Sequence, residues 1–230
     1  ARGDIATGLT LDGAGGVVVA GYTYGGNFPI TQGAFQTDFD GERYDAFVSR
    51  LNADGSELIY STYFGSNYGD QIRVLISDGA GGVIAGGDSY AAGAYPIPTT
   101  QGAYQEEYGG GIYDGFIIRL NPAGSDLIYS TYIGGNGVEF IRALALNDEG
   151  GVVVGGDNYN GDFPTTEGAL REDFGGGTFD GFVISLNADG SDAIYSTYMG
   201  GSANESVYGL VPDGTGGVVL AGWNSGDRKS

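Results

Sequence analysis

The chain is one unit written three times and then begun a fourth time. The segment running from Asp45 to Tyr63 returns from Asp114 to Tyr132 and again from Asp180 to Tyr198. A second block, Asp12–Gly21, returns at Asp78–Gly87, Asn147–Gly156 and Asp213–Gly222. Gly16, Gly82, Gly151 and Gly217 mark steps of 66, 69 and 66 residues. A fixed period of this length means one supersecondary unit that buries its apolar surface against the next copy of itself. The 230 residues therefore read as a single domain, 1–230, with repeats at about 4–66, 70–135 and 139–201 and a half repeat at 205–223.

Within a unit the pattern predicts four strands. In the third unit they are Phe140–Leu146, Val152–Gly156, Gly181–Leu186 and Ala193–Tyr198. β-Branched and aromatic residues fill them, and Asp-Gly or Gly-Gly turns join them. Runs such as Gly-Val-Val-Val-Ala-Gly lack the alternation of a half-solvated sheet, so both faces of each unit should be covered. The glycines that close the second strand, Gly21, Gly86, Gly87, Gly155, Gly156 and Gly222, would permit close backbone approach between units. The long connection between the second and third strands carries Phe28-Pro29-Ile30-Thr31, where Pro followed by Thr could start a single helical turn. The expected fold class is all-β: a β-propeller of four-stranded antiparallel blades, about three and a half of them in this chain.

The half repeat supplies strands at about Val207–Val211 and Val218–Trp223. The second of these has no third strand beside it, so Val218, Val219, Leu220, Ala221, Gly222 and Trp223 form the expected assembly edge. The first unit opens with its own first strand, and the two ends cannot share one blade. A fragment of a longer propeller, a ring of two chains, a filament grown by strand addition and a compact four-bladed ring all fit this pattern. Completion of the unfinished blade by another polypeptide is the working expectation.

Composition narrows the chemistry. There is no Cys and no His, so disulfides, thiolate nucleophiles, the usual zinc and haem sites and a His general base are excluded. Lys occurs once, at Lys229. The formal net charge of −20 disfavours nucleic acid and anionic lipid as partners. No apolar run approaches the roughly 20 residues of a membrane-spanning helix, so membrane insertion is not expected. Gly makes up about a fifth of the chain (47 of 230 residues), the proportion of a protein built from many tight turns.

Three columns of repeated acids are the candidates for chemistry. Asp4, Asp70, Glu139 and Glu205 open the first strand of each unit. Gathered at one mouth of a central channel, they could bind a cation such as calcium; otherwise they are solvated charges or partners of Arg73 and Arg142. Asp45, Asp114 and Asp180 precede the third strand, and Asp12, Asp78, Asn147 and Asp213 open the first hairpin. Both of these columns suit turn-capping roles, since neither has the alternating acids of a calcium loop. The tyrosines of the fourth strand, Tyr60, Tyr129 and Tyr195 on one face and Tyr63, Tyr132 and Tyr198 on the other, should include one set packed between units. The loop aromatics Phe28, Phe35, Tyr95, Tyr104 and Phe163 either anchor their loops or offer platforms for a sugar. Arg2-Gly3-Asp4 reads as the ordinary start of a repeat rather than an adhesion motif.

Taken together, Asp-Gly-Phe-Val-x-x-Leu-Asn-Ala-Asp-Gly-Ser, Ile-Tyr-Ser-Thr-Tyr-x-Gly-Gly, Gly-Gly-Val-Val-Val-x-Gly and Phe-Pro-Thr-Thr-x-Gly-Ala resemble the bacterial SBBP β-propeller repeat family, over about Asp4 to Trp223. The resemblance implies a propeller module of a large secreted or cell-surface bacterial protein, with no shared catalytic residues and no required cofactor. The functional expectation is a non-enzymatic extracellular scaffold that meets further copies of itself or another chain through its half blade. The alternative is a carbohydrate-binding or carbohydrate-active propeller using carboxylates and loop aromatics, with glycans as partners. Glycosidase chemistry needs two acids in different environments, whereas a repeat delivers equivalent acids in equivalent settings.

Overall fold

The computed structural model describes residues 3–90 and 96–226. Among these residues the chain is all-β, with fourteen strands and no helix. The first sheet holds β1 (Asp4–Leu11), β2 (Val17–Thr23), β3 (Asp45–Leu51) and β4 (Leu58–Phe64). The second holds β5 (Gly69–Ser77), β6 (Val83–Tyr90), β7 (Asp114–Leu120) and β8 (Leu127–Ile133). The third holds β9 (Val138–Leu146), β10 (Val152–Tyr159), β11 (Phe179–Leu186) and β12 (Ala193–Met199). The fourth is the hairpin of β13 (Glu205–Pro212) and β14 (Val218–Asn224). Every sheet is antiparallel and ordered as the chain runs. The four strands expected in each unit are all present, as is the two-stranded last unit, and the second strand of the third unit runs on to Tyr159.

Among the described residues, the connections between second and third strands contain no helical turn. Pro-Thr-Thr instead leads into a single hydrogen-bonded turn, in which the amide of Ala34, Ala103 or Ala169 donates to the carbonyl of Thr31, Thr100 or Thr166. The Thr hydroxyl, which would otherwise cap a helix, meets the edge of the fourth strand: Thr31 Oγ1 accepts from the Ser61 amide at 2.9 Å, and Thr100 and Thr166 repeat the bond. An outward edge is thereby covered by its own loop.

The sheets stack in chain order, each first strand lying against the first three strands of the sheet before it. The core is accordingly three apolar slabs, one per junction. Val18, Ala20, Val48, Tyr60, Ile72 and Leu75 lie in the first, and Ile84, Ile117, Tyr129, Ile141 and Leu144 in the second. The thinner third slab holds Val153, Val183, Val207 and Leu210. Tyr60 and Tyr129 are the tyrosines packed between sheets, against Gly124 and Gly190 of the following sheet, while Tyr195 of the third sheet is only half-buried. The other set is buried under the loops: the Tyr132 hydroxyl accepts from the Ile97 amide at 2.8 Å and the Tyr198 hydroxyl from the Phe163 amide at 2.7 Å. Guanidinium groups tie two of the junctions. Arg50 pairs with Asp12 in its own sheet and donates forward to the carbonyls of Gly81 and Pro122, and Arg119 pairs with Asp78 and reaches Ala188. The third unit has Ser185 in this place, bonded to Asn147.

A bulge interrupts the pairing of the first two strands in every sheet, at Thr7, Arg73, Arg142 and Tyr208. Opposite it stand Gly21, Gly87, Gly156 and Gly222. The bulged strand brings a carbonyl of the same sheet so near that a Cβ on any of the four would penetrate it. Of the six glycines expected to allow close approach between units, Gly86 and Gly155 do so: a Cβ there would stand 2.8 Å from Ile141 Cγ2 and 2.7 Å from Val207 Cγ1. We therefore expect Gly87→Ala to cost about 1–3 kcal/mol in equilibrium denaturation. Gly3→Ala, with nothing within 4 Å of its Cβ, should leave the midpoint unchanged.

Candidate functional site

The two acid columns of the first and third strands meet at the sheet junctions. Isolated parallel bridges join Tyr44 to Gly69 and Tyr113 to Val138, so the next residues along, Asp45 with Asp70 and Asp114 with Glu139, become lateral neighbours. The amides of Asp70 and Glu139 donate to the Tyr44 and Tyr113 carbonyls at 3.0 and 2.9 Å. Asp180 and Glu205 repeat the pairing at the third junction, where a Cβ on Gly200 would lie 2.7 Å from Asp180 Cγ and 2.8 Å from Glu205 Oε2. Asp4 has no earlier sheet to face; it is exposed and accepts from Thr23 Oγ1 at 2.5 Å. Asp70, Glu139 and Glu205 are thus each matched with an acid of the sheet before. Among the described residues no group of three or more gathers at one point.

Each carboxylate has one satisfied oxygen and one orphan. The amides of Asp40, Gly109 and Gly175 donate to Oδ2 of Asp45, Asp114 and Asp180, the turn-capping role expected of that column. Ser66 donates to Asp70 Oδ2 through both its amide and its hydroxyl, Asn158 Nδ2 donates to Glu139 Oε1, and the Gly201 amide donates to Glu205 Oε2. The remaining oxygens, Asp45 Oδ1, Asp70 Oδ1, Asp114 Oδ1, Glu139 Oε2, Asp180 Oδ1 and Glu205 Oε1, are buried without a donor. The arginines do not serve them. Arg73 and Arg142, the partners expected for the first column, pair with Asp88 and Asp157 in their own sheets.

Burial without a cation raises the proton affinity of these acids. Desolvation pushes Asp45 and Asp114 up to about 7, Asp70 to about 6 and Glu139 to about 8, and it raises Asp180 as well. For Glu139 the neighbouring Asp114 charge adds to this effect. By contrast, Asp12, Asp78, Asn147 and Asp213 each accept two amide bonds in the hairpin turn, which is the structural role read from the sequence.

The loop aromatics are anchors. Phe163 is buried and stacks on Phe182 with centroids 4.0 Å apart, Phe28 lies 4.1 Å from Phe47, and Phe35 and Tyr104 pack on the first and second slabs. Tyr95 lies outside the described residues, as does Arg2 of the Arg-Gly-Asp sequence, whose Asp4 begins β1. A belt of half-buried rings that motif reading passed over joins Tyr68, Tyr90, Tyr113, Phe140, Tyr159 and Phe179 in edge and tilted contacts. Tyr90 and Tyr159 occupy equivalent positions, as do Tyr113 and Phe179, and that recurrence was the available signal. Arg43 covers the Tyr90 ring at 4.8 Å and Arg73 the Phe140 ring at 4.9 Å, so these faces are in use.

Val218 to Trp223 form β14, whose outer edge has no partner strand. The face as well as the edge is uncovered. Val219 is 59% exposed whereas its equivalents Val18 and Val153 are 2% exposed. At the other end of the stack Leu9 is 70% exposed, while its equivalents Leu75, Leu144 and Leu210 are 6%, 6% and 9% exposed. An apolar hollow of about 190 Å³ over the fourth sheet is lined by Gly209, Leu210, Val211, Val219, Leu220 and Ala221.

No protein-family model matches the chain, and no curated protein sequence matches it either.

The raised acids make stability fall with pH. Between the unfolded carboxyl value near 4 and the folded values of about 6 to 8, the folded chain holds more protons than the unfolded one. In chelator-treated protein the melting temperature is expected to drop as pH rises from ~5 to ~9, more steeply than in Glu139→Gln, as thermal melts at a series of pH values would record.

Proposed function

We propose that the chain is a non-enzymatic stacking scaffold of the β-propeller kind, whose open first and last faces join one another between copies. The observation that carries this reading is a mismatch between its two ends. At the first junction Leu75 Cδ2 would stand only 2.5 Å from a Cβ on Gly8, so the leucine lies directly on glycine backbone. At the last sheet, Gly209 occupies the place of Gly8, and a Cβ there would meet nothing nearer than Ala221 Cβ at 3.9 Å. Leu9, the counterpart of Leu75, stands free at the opposite end. The exposed Leu9 and the uncovered Gly209 are the two halves of the contact that Leu75 and Gly8 make at the first junction, while at the second and third junctions Leu144 and Leu210 lie beside Gly86 and Gly155 instead. Such a head-to-tail contact is heterologous, and it generates a ring where the rotation closes and a filament where it does not.

Repeats like those of the SBBP family, in a bacterial secreted or cell-surface protein, fit this role. So does the acidic surface, which disfavours anionic partners while leaving apolar end faces to pair. Carbohydrate binding is the weaker reading. The aromatic rings that could bear a sugar are packed on one another, on the sheets or under arginine, and the acid pairs are buried.

Burying one leucine contributes about 1.5–3 kcal/mol, so Leu9→Asp should weaken association at least about tenfold. Light scattering coupled to size exclusion at micromolar concentration should find wild-type species heavier than one chain and Leu9→Asp as single chains. Wild-type protein that remains a single compact chain at that concentration overturns the proposal.

A further inference from the structure

The third junction contains a cation that the first two lack. Arg171 Nη1 donates to the carbonyls of Gly200 and Gly201 at 2.6 and 3.4 Å, beside Asp180, whose carboxylate its charge favours. The equivalent residues are Gln36 and Gln105. Each turns its Oε1 inward to accept from the amide of Gly65 or Gly134 at 3.1 Å, and its Nε2 away to the carbonyl of Asp38 or Glu107. No guanidinium therefore stands on the carbonyls of Gly134 and Gly135, which correspond to those of Gly200 and Gly201.

Oxygens nevertheless converge at the second junction as they do at the third. A Cβ on Gly109 would lie 2.5 Å from the Gly135 carbonyl oxygen, 3.0 Å from that of Gly134 and 3.1 Å from Asp114 Oδ2. A Cβ on Gly134 would press on both Glu139 Oε2 and the Asp114 carboxyl carbon. Asp114 and Glu139 are fully buried, and each keeps one oxygen without a donor. The first junction places Asp45 beside Asp70, also fully buried and each with an orphaned oxygen. None of the four ion pairs includes any of these acids. Two ionised carboxylates buried side by side without a counter-charge are strongly unfavourable, and a second charge of opposite sign is the usual remedy. The donors on offer are carboxylate and carbonyl oxygens only, the set preferred by a hard cation with flexible coordination.

We propose that the first two junctions each bind a calcium ion, between Asp45 and Asp70 and between Asp114 and Glu139, and that the guanidinium of Arg171 takes the place of the ion at the third. At the second junction the carbonyls of Gly134 and Gly135 contribute to the oxygen set. Bound there, each ion bridges two sheets and replaces the protons that the acid pairs otherwise hold.

The test uses the whole chain, stripped with chelator and titrated with calcium alone at slightly alkaline pH. Calorimetry should give one ion at each of two junctions per chain, with a rise in melting temperature up to millimolar calcium. Glu139→Gln should bind one ion fewer, while its chelator-treated melting temperature is no lower than that of wild type, which separates lost binding from lost folding. Arg171→Gln, which restores the residue of the first two units, should bind one ion more. Absence of saturable binding together with a calcium-independent melting temperature overturns the proposal and leaves the acid pairs as proton-sharing couples. Binding whose stoichiometry ignores both substitutions overturns it equally.

Discussion

Between consecutive sheets, a leucine on the first strand of the later sheet lies over backbone that carries no side chain. Leu75 lies over Gly8, Leu144 over Gly86 and Leu210 over Gly155. The fit is tightest at Gly8, where a Cβ would stand 2.5 Å from Leu75 Cδ2, and looser at Gly86, where Leu144 Cδ1 would be 3.5 Å away and Ile141 Cγ2 is the nearer neighbour at 2.8 Å. The contact requires the first strand to be bulged, because the bulge places Ile72 and Leu75, three residues apart, on one face. The bulge in turn requires Gly87 across the ladder. Turn, bulge, glycine and leucine are thus links in one constraint, and it recurs because no sheet here can cover its own faces.

Much of this was legible in the sequence, and the reasons are specific. Strands and hairpins follow from local pattern, and Asp12, Asp78, Asn147 and Asp213 were readable as turn caps because Asx chemistry is short-range. The apolar runs of β6 and β10 declared that both faces were covered. What could not be read was which column faces which. Asp45 and Asp70 lie 25 residues apart, and their pairing depends on the parallel bridge at Tyr44 and Gly69. Of the glycines visible as close-approach positions, Gly86 and Gly155 do face the next sheet, whereas the backbone approaching Gly21, Gly87, Gly156 and Gly222 belongs to their own sheet. The helical turn expected after Pro29 gave way to a tertiary bond, since Thr31 finds Ser61 at the sheet edge. That competition is invisible from the loop alone.

Charge is handled differently from column to column. Arginine neutralises the acids of the hairpin turns and of the second strands, Asp12 and Asp78 through the third strand and Asp88 and Asp157 through the first. The acid pairs at the junctions receive amides on one side only. Amides favour the ionised form, desolvation opposes it, and for Asp45, Asp70, Asp114 and Glu139 desolvation is the larger effect. Position 171 has departed from its repeat equivalents where that imbalance is felt, placing a fixed positive charge beside Asp180.

The forward-reaching arginines make the stack uneven. Arg50 and Arg119 rivet the first and second junctions, while Ser185 leaves the third without a rivet and with the thinnest slab. In a one-dimensional array, opening begins at the weakest neighbour-to-neighbour interface and spreads from there. The β13–β14 hairpin can therefore peel from the third sheet while the first three remain a cooperative block. Stability in the stack is thus graded along the chain, lowest where the slab is thinnest.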